Sequence, residues 1–181
     1  MNPDTKSPTE RITNLNIMQI NIIAAVAKNR AIGYQNDMVY YIKEDLRRFK
    51  ELTTGHTVIM GRRTFDSLPK GALPNRRNIV LSRTFQDFPG CDVYVSLEEA
   101  MKHIGADEQA FIIGGASVYK EGLAIADRLF LTEIDAIPKH ADVFFPEFDN
   151  STWEIEKKEE HSKTEKSPAF AFVDYIRKKD K

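Results

Sequence analysis

Apolar and polar residues fall into short blocks along the chain. The first apolar run, Ile20-Asn-Ile-Ile-Ala-Ala-Val-Ala27, is brief, β-branched and nearly continuous. Such a run predicts a strand covered on both faces. Residues 28–41 show no period and contain Gly33, so they read as a long loop. Loops of that length inside compact domains are usually functional or disordered. Residues 42–53 return an apolar residue every three or four positions, the spacing of a helix. Strands are expected at 56–60, at 78–81 and around Tyr94. Ser96 opens Ser-Leu-Glu-Glu, where Glu99 completes a capping-box pattern before a helix to about His103. A further buried strand over 110–113 is closed by Gly114-Gly115. A helix through Tyr119 and a strand over 128–134 follow. Residues 153–160 and 169–177 mix polar and apolar positions around the polar segment 161–168 and read as an antiparallel hairpin. Strands alternating with helices, then a hairpin, predict one α/β domain. Its central mixed sheet, mostly parallel, should have about eight strands with flanking helices.

Composition changes this picture little. The 181 residues are 41% hydrophobic and 29% charged, as in ordinary globular proteins. That length buries a sizeable core without staples. A net charge of −1 gives no general pull toward nucleic acid or membrane. No stretch approaches the length of a membrane span. The single cysteine, Cys91, excludes an internal disulfide and points to a reducing compartment. The polar start, MNPDTKSPTERITNLN, lacks the apolar core of a secretory signal. Residues 1–17 read as a disordered leader or an added extension, and residues 18–181 as the domain.

Segment 42–52, Ile-Lys-Glu-Asp-Leu-Arg-Arg-Phe-Lys-Glu-Leu, carries the sharpest chemical signal. On a helix turning about 100° per residue, Ile42, Leu46, Phe49 and Leu52 share one side. Lys43, Glu44, Arg47, Arg48, Lys50 and Glu51 cover the other. Asp45 falls among the apolar residues as the only charge on its face. A buried carboxylate without partners is costly or takes up a proton. Two readings stand. Asp45 receives a ligand's donors or moves a proton, or it complements the helix dipole and meets a structural partner.

Glycine closes two of the expected strands. Val58-Ile-Met-Gly-Arg-Arg-Thr64 passes into a basic turn, and Phe111-Ile-Ile-Gly-Gly-Ala-Ser-Val-Tyr119 passes into a helix. A helix N-terminus behind small residues suits phosphate, although each glycine taken alone is more often a plain turn. Neither stretch is a G-x-G-x-x-G fingerprint. From Gly61 to Arg83 stand Arg62, Arg63, Lys70, Arg76, Arg77 and Arg83 against one acid, Asp66. That excess fits an anionic ligand or a solvated basic surface. His56, His103, His140 and His161 lack metal-ligand spacing, so no metal is expected. No G-x-S-x-G is present, and a hydrolase reading gains nothing.

Taken in order, these pieces resemble one family. Ile23-Ala-Ala-Val-Ala27, Ile32-Gly33, Asp45-Leu-Arg-Arg-Phe49, Val58 to Thr64, Leu73-Pro-Asn-Arg-Arg-Asn-Ile-Val-Leu-Ser82, Ile112 to Tyr119, Leu131-Thr-Glu-Ile134 and Asp142-Val-Phe-Phe-Pro146 look like dihydrofolate reductase over about residues 18–178. The resemblance implies NADPH-dependent reduction of 7,8-dihydrofolate to tetrahydrofolate, with hydride to C6 of the pterin and a proton to N5. It further implies a cytoplasmic monomer that serves one-carbon and thymidylate metabolism, binds antifolates, and binds neither nucleic acid nor membrane. Asp45 would hold the pterin amino group and ring N–H and favour protonation at N5, while Thr132 bonds both Asp45 and that amino group. The carbonyls of Ile23 and Ile113 would line the pocket, and Leu46, Phe49 and Leu68 would sandwich the pterin and its aryl tail. Arg76 would hold the α-carboxylate, a bidentate task.

For the cofactor, the resemblance places Gly61, Arg62, Arg63 and Thr64 at its phosphates, with Ser82 and Arg83 beside the 2′-phosphate. Gly114, Gly115, Ala116, Ser117 and Val118 would approach the nicotinamide and pyrophosphate, with Ile113 and Tyr119 near the ring. Ala25, Ile32 and Gly33 would meet the carboxamide. Residues around Met38 resemble a lid that gates turnover. Tyr40 completes the catalytic set with Met38, Asp45 and Thr132, and it departs from the tryptophan common in the family. A phenol there alters the water-bridged contact.

Other readings divide on particular residues. A reductase of similar fold acting on a pyrimidine in riboflavin synthesis would share the cofactor half without needing Asp45. A nucleotide-binding module would keep the arginines and glycines and oxidise nothing. A structural protein would leave Asp45 and the basic window unexplained.

Overall fold

The apolar run at 20–27 forms the middle of the sheet. In the computed structural model, which describes residues 18–84 and 86–179, it is β1 (Gln19–Ala27). The expected leader, residues 1–17, lies outside the described residues. β1 pairs in parallel with β7 (Gln109–Gly114) on one side and β8 (Arg128–Ile134) on the other. Its alternate side chains enter different cores. Ile20, Ile22, Ala24 and Val26 meet Ile112, Leu129 and Leu131. Ile23 points the other way, to Val58, Met60 and Phe111. Burial on both faces explains why the run is continuous rather than alternating.

Three more parallel strands, β4 (Thr57–Gly61), β5 (Arg77–Leu81) and β6 (Cys91–Tyr94), extend the sheet beyond β7. The hairpin of β10 (Trp153–His161) and β11 (Phe170–Arg177) adds antiparallel strands beside β8. The order is β10-β11-β8-β1-β7-β4-β5-β6, the expected mixed and mostly parallel sheet of eight strands.

Residues 28–41 are not simply a loop. β2 (Ala31–Tyr34) and β3 (Asp37–Met38) form a hairpin, joined by β9 (Val143–Phe144) in a small second sheet. Gln35 and Asn36 turn the chain with φ of 48° and 60°. Two positive φ values suit a tight hairpin, but Gln-Asn lacks the glycine that usually announces one. The Asp142 carboxylate helps by accepting the Gln35 N–H at 3.0 Å.

Among the described residues four helices flank the sheet: α1 (Lys43–Thr53), α2 (Arg62–Ser67), α3 (Leu97–Met101) and α4 (Ala116–Leu123). The expected basic turn after Gly61 is therefore α2. α4 continues past Tyr119, and α3 stops short of His103. Only half of the capping box forms. Ser96 accepts the Glu99 N–H at 3.1 Å, while the Glu99 carboxylate takes the Lys102 ammonium at 2.8 Å. α4 lies close on the sheet at Gly122, where a Cβ would stand 2.5 Å from Ile112 Cδ1. Gly122→Ala should therefore overpack this seam and destabilise the fold by about 1–3 kcal/mol in urea unfolding.

Among the described residues no helix is long and apolar enough to cross a membrane, and no group of three His, Cys, Asp or Glu side chains could hold a metal.

Candidate active site

α1 is buried at both ends and open between them. Ile42 and Thr53 are 2% and 0% exposed, whereas Leu46 is 41% exposed. Phe49 and Leu52 are half-buried beside Ile23, Val58, Met60 and Phe111. The apolar side of the helix is thus only partly covered and stays open along its middle.

Asp45 stands at the start of that open face. Thr132 Oγ1 donates to its Oδ1 at 2.5 Å. No other described side chain donates to the carboxylate, which has room for further donors. Burial raises the proton affinity of Asp45 above the usual carboxylate range, and the Thr132 bond and the Arg48 charge pull it back. Asp45 and Glu44 also lie in the first turn of a helix that no side chain caps, so the dipole benefits as well. The two sequence readings of Asp45 are compatible.

Arg48 departs from expectation. Helical spacing puts it on the polar side, yet its guanidinium turns inward over the Phe172 ring at 4.5 Å and binds Asp174 at 2.5 Å. Asp45 is not the only charge beneath this helix. An arginine stem can lie along an apolar surface and carry its head to a distant partner, which spacing alone does not register.

Arg76 closes the far end. It donates to the Thr53 hydroxyl at 3.1 Å and to the Pro74 carbonyl at 2.9 Å. It has no carboxylate partner among the described residues, and burial lowers its proton affinity. Thr53, which spacing did not single out, also donates to the Phe49 carbonyl at 2.7 Å. Asp45 and Thr53 lie about 12 Å apart along the helix axis. Leu46 and Phe49 stand between them, and Leu68 and Ile113 pack on the same apolar cluster as Phe49. This side of the helix therefore presents a carboxylate, an apolar middle and a guanidinium with no carboxylate partner among the described residues, in that order.

A second constellation sits at the carboxyl ends of three adjacent strands. Met60 pairs with Gly114, and Gly61 with Leu81. That register aligns Gly114-Gly115, Arg62-Arg63-Thr64 and Ser82-Arg83, and the carboxyl edge of an open α/β sheet is where ligands bind. Arg62 and Arg63 are exposed in the first turn of α2, at the positive end of its dipole, with no acid in that turn. Neither they nor Arg83 pair with a carboxylate among the described residues. The Ser82 hydroxyl instead faces Thr84 Oγ1 at 3.1 Å. Gly114 has φ +139° and lies so near Thr64 that a Cβ would be 2.9 Å from Oγ1; at Gly115 the distance is 3.7 Å. α4 starts at Gly115 without a side-chain cap, leaving the Ala116, Ser117 and Val118 N–H groups at its free end.

The other expected residues have these neighbours. Tyr119 is buried, and its hydroxyl donates to the Ile23 carbonyl at 2.9 Å. Burial and the nearby Asp45 carboxylate hold that phenol well above its usual proton affinity. Ala25 and Tyr40 pack on the cluster of Ile42, Ile134, Phe170 and Phe172. Gly33 pairs with Met38, and a Cβ at Gly33 would meet Val143 at 3.4 Å. Ile32 packs against the main core.

Comparison with known proteins follows the same outline. The family model described as dihydrofolate reductase matches residues 19–177. A dihydrofolate reductase of Bacillus subtilis (strain 168) is 41% identical, over 88% of this chain and 95% of the relative. One of Neisseria gonorrhoeae is 42% identical, over 90% of this chain and 100% of the relative. Among solved structures, dihydrofolate reductase from Enterococcus faecalis complexed with NADP(H) and RAB-propyl superposes with a TM-score of 0.83 at 31% identity, covering 89% of this chain and 97% of that one.

Proposed function

This chain belongs to the dihydrofolate reductase family, and from that premise we propose that it reduces 7,8-dihydrofolate to 5,6,7,8-tetrahydrofolate with NADPH, as a cytoplasmic monomer supporting one-carbon and thymidylate metabolism. The cleft along α1 carries this reading. Dihydrofolate has amino and ring N–H donors at one end, aromatic rings in the middle and carboxylates at the other. Asp45, the apolar wall of Leu46, Phe49, Leu68 and Ile113, and Arg76 answer these in sequence.

Asp45 binds the pterin donors, and Thr132 keeps a lone pair for the amino group while it donates to Asp45. The Ile23 and Ile113 carbonyls line the same wall. Asp45 also keeps a proton near the pterin, which favours protonation at N5. Its raised proton affinity suits that task. Met38 and Tyr40, on and after the β2–β3 hairpin, belong to a lid that excludes water. Antifolates occupy the same cleft.

The residues present fit NADPH. The Gly114-Gly115 approach to Thr64 leaves a cradle that a Cβ would fill. Arg62, Arg63 and Arg83 offer cations without acidic partners to phosphates, with Thr64, Ser82 and the free α4 N–H groups beside them. Ala25, Ile32, Gly33 and Tyr119 receive the nicotinamide end. Bound there, the cofactor supplies hydride to C6 of the pterin. Loss of NADPH absorbance on addition of dihydrofolate tests the reading. NADPH should exceed NADH by about 10-fold or more in kcat/KM, the scale of one or two charge-assisted hydrogen bonds. A folded, NADPH-binding sample that leaves dihydrofolate unreduced would sink it.

Arg76→Lys gives a separate check. Lysine keeps the charge and loses the planar fork. KM for dihydrofolate should rise about 10-fold with kcat nearly unchanged, the sign of lost ground-state binding.

A further inference from the structure

Beneath α1, two of its side chains one turn apart reach two adjacent strands. Asp45 meets Thr132 on β8, and Arg48 meets Asp174 on β11. The strands hold these partners in register: Thr132 pairs with Phe172, and Phe130 with Asp174. Arg48 lies over both rings, 4.5 Å from the centroid of Phe172 and 5.9 Å from that of Phe130. Its side chain is only 20% exposed, and that of Asp174 15%. A flexible surface arginine would be screened and dispersed over many rotamers; this one is fixed by an aromatic face and a carboxylate. We propose that Arg48 is a positioning residue for the reduction: seated on Phe172 and tied to Asp174, it fixes a positive charge one helical turn from Asp45 and thereby helps set when that carboxyl takes a proton.

The chemistry of the surroundings supports this. The groups that face Asp45 are few. From its own helix there is Arg48, from β8 the neutral Thr132, and from α4 the neutral Tyr119 hydroxyl, which is bonded to Ile23. Asp174 on β11 is engaged by Arg48. Glu159 on β10 lines the outer groove with Glu44, Arg47 and Glu51, and it is paired with His161. Arg48 is the cation whose charge lowers Asp45's proton affinity against the effect of burial. Burial favours the neutral carboxyl over the anion that meets the pterin donors best. The Thr132 hydrogen bond opposes that, and the Arg48 charge adds to its effect.

This inference rests on the proposed reduction for its role, but its test does not. The carboxyl of Asp45 is titrated by carbon-13 NMR in the free protein, with Asp45→Asn identifying its signal. Arg48→Gln keeps a donor for Asp174 and removes the charge. The Asp45 midpoint should then move up by about half a pH unit or more. Arg48→Lys should restore most of the difference, which a loss of packing alone would not allow. If Arg48→Gln does not fold, the double variant Arg48→Met with Asp174→Asn leaves no unpaired charge, and a smaller shift in the same upward direction is expected. An Asp45 midpoint unchanged without Arg48, or equally shifted by lysine, overturns the proposal. In an active enzyme, the pH profile of hydride transfer should move with the NMR midpoint. A protein without reductase activity would refute the proposed function and still report the coupling of Arg48 to Asp45.

Discussion

Asp45→Asn should lower hydride transfer at neutral pH by about 10²-fold or more, the usual scale for losing a positioned acid–base group. NADPH affinity should change little, because the arginines and glycines assigned to the cofactor lie at the carboxyl ends of β4, β5 and β7, away from the start of α1. Single-turnover kinetics and cofactor titration separate the two effects. An equal loss of cofactor affinity would contradict the role given to Asp45. The same variant should be more stable than the parent at neutral pH. Burial raises the carboxyl's proton affinity in the folded protein above that of the unfolded chain. The protonated form therefore favours folding below the unfolded carboxylate range, and that contribution is lost as pH rises through the raised folded value. Asparagine keeps an acceptor for Thr132 and carries no charge. Its gain in urea midpoint should be largest near about pH 8 and fade toward about pH 4. A site that is stabilised when its function is removed is the expected sign of a group held for chemistry.

The sequence reveals Asp45 more readily than Arg48 for a physical reason. A short carboxylate cannot leave the face on which helical spacing sets it, so an acid among Ile42, Leu46 and Phe49 stands out. A long side chain can. Arg48 is drawn inward by Asp174, 126 residues away, and by an aromatic ring on β11, and neither is visible in a local window. The same contrast separates the sheets. β1 and β7 are buried on both faces, so their apolar runs declare them. β2 and β3 owe their pairing to a turn at Gln35-Asn36 and to the distant Asp142, and a period-based reading sees only loop. Thr53 was hidden likewise, since its role depends on Arg76 arriving from a different segment. What the order of motifs did convey was the family, because many weak local patterns in one register constrain each other.

Gly114→Ala should be the most damaging small substitution in the cofactor half. Two effects combine there. At φ +139° an L side chain is strained, at about 1–3 kcal/mol. The new Cβ would also stand 2.9 Å from Thr64 Oγ1, in the first turns of α2. Relief requires Thr64 to shift, and Thr64 sits beside Arg62 and Arg63. We therefore expect a loss of about 2–4 kcal/mol in stability and at least about a 10-fold weaker Kd for NADPH. Gly55→Ala separates the causes. Gly55 has φ +83° with nothing within 4 Å of a Cβ, so only strain acts, and NADPH binding should be unaffected. Adding Thr64→Ala to Gly114→Ala removes the contact with Oγ1 and leaves the strain. Stability should then recover in part while cofactor affinity stays low, since the Thr64 hydroxyl is itself assigned to a phosphate. Full recovery of affinity would mean that Gly114 shapes the fold and not the cofactor site.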